Sequence, residues 1–276
     1  MAERHDLDFV TRLDAVTGQR GSLCVGIDPH PASLQAWGLS NDVAGLEVFA
    51  RTLVASLGET VACFKPQSAF FEAHGPAGLA VLQTVLTDIA ATGAVSILDC
   101  KRGDIGSTMA AYAQAYLADG APLAADAITL NPFLGFGALT PAVELAASTG
   151  RGVFVLARTS NSEGAAVQLA RPQGSVSVAQ QIIDEASAAN QAAGTPLVGL
   201  VIGATLARLD VNLAGFNGWV LAPGVGAQGG DMAGVAGLFG GHARVLPTAS
   251  RSVANAGPSP VALADAVAEL TGRRRD

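Results

Sequence analysis

The amino-acid sequence predicts an α/β protein, a single (β/α)8 TIM barrel with a closed parallel sheet that occupies residues 1–276 as one domain. Three observations lead there. Eight short β-like runs recur, at residues 23–27, 61–65, 95–100, 127–130, 153–157, 197–202, 219–221 and 244–247. Several are almost continuously apolar, which suits parallel strands covered on both faces. Alanine-rich helical stretches stand between them, as at 44–57 and 78–91, so the repeating unit is βα. An open doubly wound sheet would more often carry a glycine-rich dinucleotide turn after its first strand, whereas Asp28-Pro29-His30 stands there.

Taken in order, the first run ends at Asp28, and the second ends in Cys63-Phe64-Lys65-Pro66. The third, Val95-Ser96-Ile97-Leu98, leads into Asp99-Cys100-Lys101-Arg102-Gly103-Asp104-Ile105-Gly106-Ser107-Thr108. Residues 104–117 then read as a helix whose Tyr112 and Tyr116, one turn apart, are expected to serve packing or dimer contacts rather than substrate stacking. After the fifth run comes Arg158-Thr159-Ser160-Asn161. Two Gly/Ser/Gln-rich segments, 160–175 and 223–230, read as long βα loops, which on a barrel form the active-site face. A final helix starts with a Ser259 cap and Pro260 in its first turn, and ends in Arg273-Arg274-Arg275, cations solvated near a helix C-terminus.

Composition bounds the function. Half the residues are hydrophobic and 14% are charged, enough to fill a large core and too little charge for disorder. The formal net charge of -7 offers no global positive field for nucleic acid or an anionic membrane, so an anionic small substrate would need local cations. The three cysteines, Cys24, Cys63 and Cys100, are widely spaced in apolar runs, which fits a reducing compartment. The first nine residues carry Glu3, Asp6 and Asp8 without an apolar stretch, and no window is apolar for the 18 or so residues a membrane span needs. A soluble cytoplasmic protein is expected. His5, His30, His74 and His242 lack the spacing that converges two imidazoles on a metal, so no metal site is expected.

The chemistry concentrates at the ends of the second and third runs. Alternation along a strand puts Asp99 and Lys101 on one side, with Asp104 following on the loop, an expected array of alternating charge. Lys65 ends the neighbouring strand. An ammonium among apolar residues is costly without a carboxylate, and Asp99 is the expected partner.

At these positions the sequence strongly resembles the orotidine 5'-phosphate decarboxylases, whose third strand carries D-x-K-x-x-D with a nearby threonine and whose second strand supplies a lysine. Here those residues are Lys65, Asp99, Lys101, Asp104 and Thr108. The resemblance continues through Cys24-Val25-Gly26-Ile27-Asp28, Ala222-Pro223-Gly224-Val225-Gly226 and Ser250-Arg251. It looks closest to a longer bacterial subgroup with an FKPQ-x-x-FFE pattern, read here from Phe64 to Glu72.

The resemblance implies a catalytic tetrad of Lys65, Asp99, Lys101 and Asp104, working without any cofactor in a homodimer where Asp104 and Thr108 reach into the partner's site. It implies that Asp28 binds the ribose hydroxyls and Arg251 the phosphate. A hydroxyl after strand five would meet the pyrimidine, Ser160 being favoured over Thr159, and Gln228 is the candidate clamp in the loop after strand seven. The activity implied is decarboxylation of orotidine 5'-phosphate to UMP, the last step of de novo UMP synthesis. Two alternatives remain. Sugar-phosphate enzymes of the same superfamily share D-x-K-x-x-D but bind Mg2+ and typically carry an acid on strand two, where Lys65 stands; a non-catalytic nucleotide-binding barrel would have little need for two lysines among two carboxylates.

Overall fold

The protein is described from a computed structural model covering residues 7–172, 176–226, 229–242 and 244–272. Eight strands close into a barrel in chain order: β1 Cys24–Ile27, β2 Cys63–Pro66, β3 Val95–Arg102, β4 Ala127–Leu130, β5 Gly152–Arg158, β6 Val198–Ile202, β7 Val220–Val225 and β8 Val245–Ala249. Every pairing is parallel, including β1 with β8, where Cys24 stands opposite Thr248. All eight runs expected from the sequence are therefore strands of one closed sheet.

Two apolar layers explain why the strands read as continuous hydrophobic runs. Cys24, Cys63, Ile97, Phe154 and Leu221 point into the barrel, while Val25, Phe64, Leu98, Val155 and Ala222 face the surrounding helices. Helix Val43–Leu57 shows the outer half of the contact: Leu46, Phe49, Ala50, Leu53, Val54 and Leu57 recur at helical spacing and are buried. Asp42 starts that helix by accepting from Gly45 N at 2.9 Å.

The N-terminal ends of the strands are plugged. Helix Phe9–Arg20 crosses them, and the Phe9 ring meets Phe154 edge-on at 6.0 Å. Gly152 is required there, since a Cβ would lie 2.3 Å from the Phe9 ring. Arg12 pairs with Asp126 at 2.6 Å, and Asp14 pairs with Arg244 at 2.6 Å while accepting from Trp219 Nε1 at 3.0 Å. The opposite, C-terminal end of the barrel is left to hold a ligand.

At that end the strands run further than their apolar patterns suggest. β3 reaches Arg102, β5 Arg158, β7 Val225 and β8 Ala249, and register shifts fall between Leu98 and Arg102, Leu156 and Arg158, and Pro223 and Val225. Bulges re-aim side chains, and these sit where polar residues leave the sheet. Two expectations change in detail. Segment 160–175 contains a 3-10 turn, Ser162–Gly164, and a short helix, Ala165–Gln168, whose Gln168 amide oxygen accepts from Thr159 N at 2.9 Å. Ser259 does precede the last helix, Pro260–Thr271, but makes no side-chain capping bond; Arg273, Arg274 and Arg275 lie outside the described residues.

Cys24, Cys63 and Cys100 are buried and unbridged. Burial pushes the Cys100 thiol up to about 12, which keeps it an inert packing group. His30 starts a helix by accepting from Ala32 N at 3.2 Å, and His242 stacks on Phe216, both structural roles. Tyr116 packs in the core, and the Arg102 guanidinium lies over the rings of Tyr112 and Tyr116. Among the described residues no helix is long and apolar enough to cross a membrane.

Candidate active site

A cavity of about 350 Å³ opens at the C-terminal end of the barrel. Its floor is apolar, formed by Leu156, Val201 and Leu221, and its wall is polar, with Asp28, Lys65, Gln67, Asp99, Lys101 and Thr129. Lys65, Asp99, Lys101 and Thr129 lie within strands, and Asp28 and Gln67 follow strand ends by one residue, so a rigid sheet positions the wall.

Asp99 is the centre of the wall. Its Oδ2 accepts from Lys65 Nζ at 2.8 Å and from Gln67 Nε2 at 3.2 Å. Its Oδ1 accepts from Lys101 Nζ at 2.6 Å and from Thr129 Oγ1 at 2.9 Å. The Lys65 and Asp99 side chains are only 6% and 8% exposed, whereas Lys101 is 45% exposed, so one ammonium is locked and the other faces the cavity. Burial alone would neutralise both members of the locked pair. It disfavours the Asp99 carboxylate, but Lys65 and then Lys101 outweigh it and hold Asp99 well below the ordinary carboxylate range. Burial likewise disfavours the Lys65 ammonium, and Asp99 followed by Asp28 reverse it, holding Lys65 above the ordinary lysine value.

Beside Lys65 on the neighbouring strand end, Asp28 follows β1. Ser250, just beyond β8, donates from Oγ to Asp28 Oδ2, a contact that Gly26 permits because a Cβ there would lie 2.7 Å from Ser250 Oγ. Asp28 Oδ1 is buried without a hydrogen-bond partner among the described residues, an acceptor awaiting a donor. Arg251 lines the same rim. Beyond β5, Thr159 is fully engaged: its N–H and hydroxyl meet the Gln168 amide at 2.9 and 2.7 Å, and its hydroxyl donates to Asn161 Oδ1 at 2.6 Å. The Ser160 hydroxyl has no such partner among the described residues and also lines the cavity. Arg158, next to them, is tied to Asp210 at 3.1 Å and anchors the loop after β6 to β5.

A model of the orotidine 5'-phosphate decarboxylase / HUMPS family matches residues 21–267. The chain belongs to this family. A Salinispora tropica protein named orotidine 5'-phosphate decarboxylase is 54% identical over 96% of this chain and 99% of its own. A Streptomyces avermitilis crystal structure described as an orotidine 5'-phosphate decarboxylase superposes with a TM-score of 0.92 at 49% identity, covering 97% of this chain and 94% of the other. The Leishmania donovani OMP decarboxylase structure gives a TM-score of 0.77 at 28% identity, covering 97% and 98%.

In this member of the decarboxylase family, the fold brings together Asp28, Lys65, Asp99, Lys101, Thr159, Ser160 and Arg251 around one cavity. It does not bring Asp104 and Thr108 there from the same chain. Asp104 accepts from Ile105 N at 2.8 Å, and Thr108 is exposed on helix Gly106–Leu117. The expected array of alternating charge is therefore Lys65, Asp99 and Lys101 within one chain, because β3 ends at Arg102, before Asp104, whose carboxylate accepts from Ile105 N. Gln228 lies outside the described residues. Gln67, Thr129, Ser250 and Gln168 escaped the sequence reading. Gln67 and Ser250 stood inside quoted motifs, and Thr129 was the one polar residue in an apolar strand; nothing local singled out Gln168. Glu72, at the end of the FFE pattern, pairs with Arg102 at 2.6 Å and braces the loop after β3.

The locked pair gives an expected result for stability. Asp99→Asn leaves the Lys65 ammonium buried without its charged partner, a loss of about 3–5 kcal/mol near neutral pH. Because the folded pKa of Asp99 is depressed, its contribution is complete above the ordinary aspartate value of about 3.9 and disappears as pH falls through the folded value. Thermal unfolding of the two proteins across pH should show a gap that is constant from about pH 5 to 9 and narrows below about pH 4. A gap that widens on acidification would contradict an ionised Asp99.

Proposed function

We propose that this chain decarboxylates orotidine 5'-phosphate to UMP and CO2, the closing step of UMP synthesis, in the cytoplasm and without a cofactor. The observation that carries this reading is the Lys65–Asp99–Lys101 row at the mouth of an apolar-floored cavity, with one lysine locked and one free to meet a substrate. Three thiols buried without bridges suit a reducing compartment.

Loss of CO2 from C6 of the pyrimidine breaks a carbon–carbon bond and leaves its electron pair on C6, which has no ordinary electron sink. The Lys101 ammonium answers that need electrostatically and then gives its proton to C6, forming the new C–H bond; solvent reprotonates the lysine. Asp99 holds the ammonium charged and aimed, and Lys65 fixes Asp99. The fixed charges act as a pre-set environment for the developing carbanion and need no rearrangement at the moment of reaction.

The remaining contacts bind. Asp28 Oδ1, buried and without a hydrogen-bond partner among the described residues, suits a ribose hydroxyl. Arg251, which follows β8 beside Asp28, suits the phosphate, binding energy remote from C6. Ser160 rather than Thr159 meets the pyrimidine, since the Thr159 hydroxyl already donates to Asn161 and accepts from Gln168. The phosphate clamp is assigned to Gln228, which lies outside the described residues.

The working unit is a homodimer with shared sites. Asp104 and Thr108 flank Ile105, which is 62% exposed, and the neighbouring loop after β4 presents Phe133 and Leu134 at 76% and 54% exposure. Apolar groups on that scale, rimmed by the polar residues that the site requires, suit a second copy of the chain.

The direct test follows the fall in absorbance as orotidine 5'-phosphate becomes UMP, using chelator-treated protein with nothing added. Rapid conversion is expected. A folded protein that converts none, yet turns over a sugar phosphate with Mg2+, would overturn the reading, as would one that binds UMP without ever releasing CO2.

A further inference from the structure

The register between β3 and β4 breaks at the site. Leu98 stands opposite Ile128 and Arg102 opposite Leu130, so Asp99, Cys100 and Lys101 together face the single residue Thr129. Regular alternation therefore does not aim Asp99 and Lys101; a bulge does. Lys101 takes φ of +44°, the one non-glycine residue with positive φ among the described residues. That conformation crowds Cβ and persists only where surrounding contacts hold it.

A bulge also leaves backbone groups without ladder partners, and those groups must be satisfied elsewhere. Thr129 supplies the partner. The Lys101 backbone N–H donates to Thr129 Oγ1 at 2.9 Å, and the same hydroxyl donates to Asp99 Oδ1 at 2.9 Å. One oxygen thus grips both ends of the lysine: its backbone directly, and its ammonium through the carboxylate oxygen that Nζ meets at 2.6 Å. Thr129 is 1% exposed among Ala127, Ile128 and Leu130, where a hydroxyl without both bonds would be costly. Both of its hydrogen-bonding directions are used on the reacting row.

We propose that Thr129 is a positioning residue that holds the β3 bulge in the shape that aims the Lys101 ammonium into the cavity. The inference rests on the reading of Lys101 as the proton donor. Its consequence is specific: the hydroxyl acts on the reacting step and touches neither the ribose nor the phosphate contact, Asp28 and Arg251, which follow β1 and β8.

Thr129→Val keeps the shape and removes the hydroxyl, whereas Thr129→Ser keeps the hydroxyl and removes a methyl. With orotidine 5'-phosphate as substrate, the valine variant is expected to lose about 10- to 100-fold in kcat with KM within about 3-fold, the scale on which a misaimed catalytic group is felt. The serine variant should recover most of kcat. A valine variant that melts earlier but keeps full kcat per folded site would reduce Thr129 to a packing residue and overturn the proposal, as would a serine variant as slow as valine. Should valine not fold, Thr129→Cys, of similar size and weak hydrogen bonding, carries the same expectation, and full kcat there overturns it equally. Lys101→Ala run alongside separates the two layers. Normal turnover in that variant defeats the proton-donor reading and this inference with it, while an inactive Lys101→Ala beside a fully active Thr129→Val defeats this inference alone.

Discussion

Lys101→Ala is expected to lower kcat by at least about 10⁴-fold while UMP affinity changes by less than about 10-fold, since proton donation and charge stabilisation are removed together. The rest of the wall is built to survive the change. Asp99 still accepts from Lys65, Gln67 and Thr129, and Lys101 itself is 45% exposed, so its loss opens no buried cavity. Single-turnover assays beside UMP titration would separate the two effects. If kcat falls by less than about 10-fold, another group protonates C6 and the central role given to Lys101 is wrong.

A second expected result is recovery from two inactive proteins. Lys101→Ala and Asp104→Ala should each be inactive alone, yet in a mixed dimer one site combines an intact Lys101 from one chain with an intact Asp104 from the other. The second site of that dimer has neither. Random exchange makes half the dimers mixed, so about one quarter of wild-type activity should return, given a two-fold symmetric dimer. The expectation rests on a concrete feature: within its own chain Asp104 caps Ile105 N at 2.8 Å and does not line the cavity. Mixed dimers verified by mass and still inactive would place Asp104 back in its own chain's site or outside catalysis.

The lysine row was legible early for a physical reason. Charged residues directly after apolar strands are conspicuous, and a buried Lys65 demanded a carboxylate that Asp99 could supply across neighbouring strands. Asp28 and Arg251 were implied by the family resemblance alone, and the closed barrel brings both to the cavity. The choice between Ser160 and Thr159 was not legible. What supports the proposed preference for Ser160 is a contact nine residues along the chain, where Gln168 occupies Thr159.

By itself the sequence determined the barrel and the row of Lys65, Asp99 and Lys101 at its strand ends. Eight two-sided apolar strands separated by helices have few ways to hide both faces, and closing the sheet gathers every strand end into one ring. Only the tertiary structure decided how that ring is aimed. The three-for-one bulge opposite Thr129, the left-handed turn at Lys101 and the Ser250 contact to Asp28 depend on register between strands. Register is set by packing summed over the whole barrel, and a shift of a single residue turns a side chain from the cavity to the helices.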